Sequence, residues 1–186
     1  MKKYSFTLFV LLSLCAIPMF AQQNSASVIL NHYAANNFVT GAIPRADMDT
    51  IIQAGVRAPS ARNLQPWRFT VVQNQNLAQR IIPQNLDGNV LIVISAAGDG
   101  KTNGVEILDS ALAVQSIYLA AQALGYGSRI YTGQNDRINS NFKSELGLPS
   151  NHNTVAVVRI GKVSSRTDGL SGASSRKPLN EVVFYK

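Results

Sequence analysis

Ile51 to Val72 reads IIQAGVRAPSARNLQPWRFTVV, a helix end, a sharp turn and a strand start in one stretch. Met48, Ile51, Ile52 and Val56 recur at helical spacing, so an amphipathic helix precedes the turn. Pro44 suits the first turn of that helix. Pro59 ends it, because proline pushes the residue before it out of the α region. Ser60-Ala61-Arg62-Asn63-Leu64-Gln65 is a polar loop closed by Pro66 and Trp67, and Phe69 and Val71 then alternate with polar neighbours as in a strand. Flanking prolines order this loop, and its serine, asparagine and glutamine offer hydrogen-bonding groups in fixed positions. The only tryptophan of the chain lies beside it. That combination suits a flat heterocycle with a donor/acceptor edge.

Toward the N-terminus, Val28 to Phe38 reads as a helix ending near Asn36-Asn37. Before it, Lys2 and Lys3 precede an apolar run from Phe6 to Ile17, with Ala21 as a small residue for cleavage. Residues 1–21 are therefore expected to be a secretory signal peptide. The run is shorter than the ~20 residues of a membrane span. Leu14 is not the small residue that precedes a lipid-modified cysteine, so no lipid anchor is expected at Cys15. The product would be exported, periplasmic or extracellular. Residues 22–186, 186 − 21 = 165 in number, suit a single domain. Cys15 is the only cysteine, so the processed chain would have no disulfide, thiolate metal site or cysteine nucleophile. Removing Lys2 and Lys3 takes the formal charge from +7 to +5. This modest excess, without a basic run, fits a phosphate ligand better than nucleic acid.

Downstream, Asn76 to Ile82 is a short helix stopped by Pro83, and Val90 to Ala96 (VLIVISA) is a buried strand. Gly98-Asp99-Gly100-Lys101-Thr102 follows. A phosphate-binding P-loop would need glycine at position 95, where Ser95 stands, and Asn103-Gly104 interrupts the helix start. The segment reads as a glycine-rich loop. Glu106 to Leu124 (EILDSALAVQSIYLAAQAL) is the longest helix and apolar nearly all round, hence expected to be buried. Gly125 ends it. Ser128 to Tyr131 is a strand, Thr132-Gly133 a turn, Asp136 to Leu146 a helix, and Thr154 to Ile160 (TVAVVRI) a buried strand. His152, in the loop before that strand, is expected to be exposed. With only two histidines, far apart, there is no metal-site signal. Residues 164–175 read as a flexible linker and 176–186 as a C-terminal arm. Strands alternating with helices imply α+β (α/β layered) architecture around a mixed central sheet.

Pro59-Ser60 followed by Asn63-x-Gln65-Pro66-Trp67 resembles the flavin-contacting motif of the nitroreductase family. The resemblance implies that Ser60 and Asn63 hydrogen-bond the flavin of FMN, with Pro59 and Gln65 nearby. Thr132-Gly133 matches the Glu-Gly pair that family members place beside flavin N5, with the Gly133 backbone N–H as the implied contact. From Arg176 the sequence resembles the family's C-terminal pattern. Arg176, with Lys177 adjacent, would reach the FMN phosphate, and the tail would add a strand to a partner subunit. The family's Arg-x-Ser-x-Arg/Lys-x-Phe phosphate motif is altered: Phe38 sets the register, and His32, Ala34 and Asn36 stand at its polar positions. His32 and Asn36 are the cofactor candidates there, but neither supplies a guanidinium's paired, charge-assisted donors.

The resemblance implies a nitroreductase-like fold and an intertwined homodimer centred on Glu106–Leu124. It also implies FMN-dependent reduction of nitroaromatic, quinone or similar electron-poor compounds by NAD(P)H. No residue reads as a catalytic side chain. The alternative is an exported flavin-binding protein of the same fold without nicotinamide-driven turnover, a reading favoured by the missing arginines.

Overall fold

The computed structural model describes residues 25–97, 104–164 and 175–186. The segment read as a signal peptide, the loop after Ala97 and most of the stretch read as a linker lie outside the described residues. The elements in chain order are α1 (Ser25–Asn31), α2 (Arg45–Val56), a 3-10 turn (Ala61–Asn63), β1 (Trp67–Val72), α3 (Gln75–Ile81), β2 (Val90–Ala97), α4 (Val105–Ala123), β3 (Gly127–Tyr131), α5 (Asn135–Asn141), β4 (His152–Gly161) and α6 (Leu179–Val182).

The four strands form one sheet in the order β1-β2-β4-β3. Helices α2 and α4 pack on one face, and α3 and α5 on the other. This is the α+β layering expected from the sequence. The mixed pairing is not found, because every pairing among the described strands is antiparallel. The reason is topological: β2 and β3 run the same way, but β4 inserts between them and bonds to both. Strand β2 is buried at all but its last position. Its unbroken apolar run is thus that of a strand covered on both faces. One face carries Ile92, Ile94, Val158 and Ile160 against Ile51, Ile117 and Ala121; the other carries Leu91, Val93 and Val157 against Ile81, Ile138 and Phe142.

Gly55 is where α2 meets α4. A Cβ there would lie 2.7 Å from two side-chain carbons of Ile117. Below the crossing, Tyr126 donates its hydroxyl to Asp47, and burial, reinforced by this carboxylate, pushes the phenol up to about 12.

Four further expectations need correction. The first helix ends at Asn31, not near Asn36. Residues beyond it are held against β3 instead: Ala35 N–H donates to Ser128 O (3.0 Å), and Phe38 bridges Val163. The Arg159 guanidinium, which is buried, lies 4.1 Å from the Phe38 ring centroid. The fifth helix stops at Asn141, and Phe142 and Leu146 reach the core from turns. His152 is buried at the start of β4, its Nδ1 3.3 Å from Ser95 Oγ. Helix α4, expected to be buried, is covered on one side only. Ala113, Ile117 and Ala121 are buried, while Leu108 (63% exposed) and Leu112 (40%) face outward.

Candidate functional site

Ser60 is extended, and Ala61–Asn63 make one 3-10 turn. Arg62, Asn63 and Gln65 have φ of 51°, 55° and 46°. Non-glycine residues in this region cost of order 1–3 kcal/mol each, asparagine less than most. Something must therefore hold the loop. Within it, Asn63 N–H donates to Ser60 O (3.0 Å) and Leu64 N–H to Ala61 O (3.1 Å). Gln65 N–H donates to Ser60 Oγ (3.1 Å), and Gln65 Nε2 to Asn63 O (3.2 Å). From outside, Ala61 N–H points at both carboxyl oxygens of buried Asp109 on α4, each at 3.1 Å.

Besides backbone groups the loop uses Ser60 Oγ and Gln65 Nε2, and it leaves the Ser60 proton and the Asn63 amide available. Ser60 Oγ accepts a bond but keeps its hydroxyl proton to donate. Asn63 is exposed, and among the described residues nothing hydrogen-bonds its side-chain amide. Pro59 and Gln65 are exposed beside it, and Trp67 stacks parallel to Phe69 beneath, with centroids 6.3 Å apart.

Thr132 and Gly133 are exposed where β3 ends. Asn135 N–H donates to Thr132 O (3.1 Å), and Asn135 Nδ2 ties the turn to Val155 O on β4 (2.9 Å). A Cβ on Gly133 would meet nothing within 4 Å. Packing within the chain thus does not demand glycine, and the backbone borders open space.

A third group gathers at Tyr118 on α4. The His32 ring stands edge-on to it, centroids 5.6 Å apart, with His32 Nδ1 on the Ile29 carbonyl. Burial raises the Tyr118 pKa, while its Gln122 hydrogen bond and the Arg176 guanidinium oppose that rise. Gln122 holds this corner: its amide accepts from Tyr33 N–H (3.2 Å) and donates to Tyr33 O and Ser128 Oγ (both 2.9 Å). His32 and Arg176 thus share a neighbour. Asn36 and Lys177 are exposed nearby in the chain.

The four motif residues Pro59, Ser60, Asn63 and Gln65 are together at the start of β1. Thr132 and Gly133 are at the end of β3. These strands are the two edges of the sheet, three strand spacings or about 14 Å apart. One chain does not bring these groups together. Sequence reasoning missed Asp109, Tyr118 and Gln122. Asp109 was findable as the one acid inside the apolar run from Ile107 to Ala123. Among the described residues no group of three or more His, Cys, Asp or Glu is placed to hold a metal ion. No helix among them is long and apolar enough to cross a membrane.

The sequence profile of the Nitroreductase family matches residues 29–90 and 85–162. A protein of Archaeoglobus fulgidus named as an NADH dehydrogenase/NAD(P)H nitroreductase is 31% identical over 133 residues, 66% of this chain and 75% of its own. The fold matches a Desulfovibrio desulfuricans nitroreductase solved in complex with FMN (TM-score 0.72, 23% identity, 87% of this chain and 96% of that one). It also matches a Desulfitobacterium hafniense nitroreductase with bound FMN (TM-score 0.70, 21% identity, 87% and 97%).

Proposed function

This chain belongs to the nitroreductase family, and we propose that it is an FMN-dependent oxidoreductase that uses NAD(P)H to reduce nitroaromatic, quinone or similar electron-poor compounds. The observation that carries this reading is the Ser60–Gln65 loop. It is held in a costly backbone conformation while the exposed Asn63 amide and the hydroxyl proton of half-buried Ser60 are left unspent. Such an edge matches the alternating donors and acceptors of a flavin pyrimidine ring. When bound, FMN would supply hydride acceptance and donation, chemistry that no side chain here offers. Asn63 and Ser60 would orient the ring, the Gly133 N–H would face it, and Arg176 with His32 would meet the phosphate.

The protein would work as a homodimer. The loop and Gly133 lie at opposite sheet edges, so a ring touching both needs a second copy to bring them together. The outward face of α4 with Leu108 and Leu112, and the exposed Leu179, Val182, Phe184 and Tyr185 of the tail, supply apolar surface for it. Lys2, Lys3 and the apolar run from Phe6 support export.

Absorbance of the purified protein tests the reading. Bound flavin that bleaches with NADH or NADPH and reoxidises with a nitroaromatic is the expected result. The alternative, an exported flavin carrier, draws on His32, Ala34 and Asn36, a weakly charged phosphate corner. It would show as flavin that neither nicotinamide reduces. Colourless protein that takes up no added FMN defeats both.

A further inference from the structure

We infer that Asp109 is the positioning residue of the Ser60–Gln65 loop: it holds Ala61 N–H and thereby sets the edge that Asn63 and Ser60 present to the flavin. The inference rests on the flavin reading of that loop.

Among the described residues, every other hydrogen bond of the loop is internal, running between residues 60 and 65. Among the described residues, Ala61 N–H to Asp109 is the one hydrogen bond from the loop to the body of the fold. The loop cannot rest on sheet bonds, because it precedes β1, and residues 61–65 are exposed. Its three left-handed residues favour other conformations when released. Asp109, by contrast, is 3% exposed on a helix whose neighbours are packed on the sheet. It forms no ion pair among the described residues, and the Ala61 amide is its only hydrogen-bond donor there. An acid buried in an apolar helix against a single amide is a poor choice for stability alone. It is a good choice for fixing one amide, since either carboxyl oxygen can accept it. Ala61 also opens the 3-10 turn, where a backbone N–H lacks an internal partner.

The test combines amide hydrogen exchange on the flavin-free protein with FMN titration. In Asp109→Ala, the Ala61 amide should exchange at least about tenfold faster, while Ile92 and Ile94 in β2 keep their protection. FMN should bind at least about tenfold more weakly. Asp109→Asn keeps one acceptor oxygen and should restore both readouts to within roughly threefold of wild type. Ala61→Pro removes the donor and leaves Asp109 in place. Ser60, at φ −145° and ψ 151°, already has a conformation that proline accepts before it. Ala61→Pro should match the FMN loss of Asp109→Ala, and the double variant should be no worse than either single one. Unchanged Ala61 exchange in Asp109→Ala overturns the inference. So does Asp109→Asn proving as damaging as Asp109→Ala, or two single losses that simply multiply. If Asp109→Ala does not fold, Asp109→Asn and Ala61→Pro decide. Wild type that takes up no FMN ends the flavin reading, whereas the exchange data still decide whether Asp109 holds the loop.

Discussion

At the residue scale, Asn63 puts the flavin reading to the most direct test. The motif names the residue, and the structure leaves it exposed at φ 55° in a loop whose internal bonds use main-chain groups, Ser60 Oγ and Gln65 Nε2. Asn63→Ala should weaken FMN binding by about 1–3 kcal/mol, the cost of leaving a buried partner unpaired. Fluorescence titration measures it, and wild-type affinity in a folded variant rejects the placement. The Arg176 guanidinium lies close enough to the His32–Tyr118 corner to oppose the rise of the Tyr118 pKa. Arg176→Ala should cost about 1.5–3 kcal/mol of FMN affinity, roughly ten- to a hundredfold. Riboflavin lacks the phosphate, so its binding should change little. Equal discrimination by variant and wild type would mean that another group holds the phosphate. His152 gives a pH dependence. Burial, then Arg68, lowers its pKa below the ordinary 6.5. The fold therefore favours neutral imidazole: its contribution is complete above about pH 6.5 and is lost as the pH falls through the lowered native value. Urea midpoints between pH 4 and 7 should show this acid-side loss in wild type, and less of it in His152→Gln.

At the scale of elements, two glycines separate packing from function. Gly55 is at the α2–α4 crossing, where an added Cβ would press on fully buried Ile117 and on Phe69. Gly55→Ala should destabilise the protein by about 1–3 kcal/mol despite its better helix propensity, as read in the thermal midpoint. Gly133 has open space around it and no left-handed φ, so Gly133→Ala should leave the flavin-free protein's midpoint unchanged and lower FMN affinity. A matching loss of stability would mean that this glycine serves the fold. The elements themselves were legible where one pattern dominated: β2 as an unbroken apolar run, α4 as a long alanine-rich helix, and the break at Pro59. The end of α1 was not. Residues 32–38 keep a plausible helical composition, but Ser128, Gln122 and Arg159, all remote in sequence, offer them better partners.

For the whole molecule, the outward side of α4 decides the prediction. Leu108 and Leu112 lie one turn apart on that helix and are 63% and 40% exposed in the single chain. Sedimentation equilibrium at micromolar concentration should give twice the chain mass. Leu108→Glu should shift it to one chain and release FMN, because a charge in an apolar interface leaves an unpaired group there. A monomer that retains FMN would reject the shared site.

Local order was enough to determine the layered α+β class, the helix–loop–strand around Pro59 and the family resemblance carried by Pro59 to Trp67. Each depends on residues within a few positions of one another, so spacing alone carries the signal. The tertiary structure decided what depends on residues far apart: the antiparallel pairings imposed by β4 inserting between β2 and β3, the burial of His152 against Ser95, and the tether from Asp109 to Ala61, 48 residues away. Hydrogen bonds and packing between distant segments leave no period in the sequence. A single buried acid in an apolar helix was their only trace, and its partner became visible only when the chain folded.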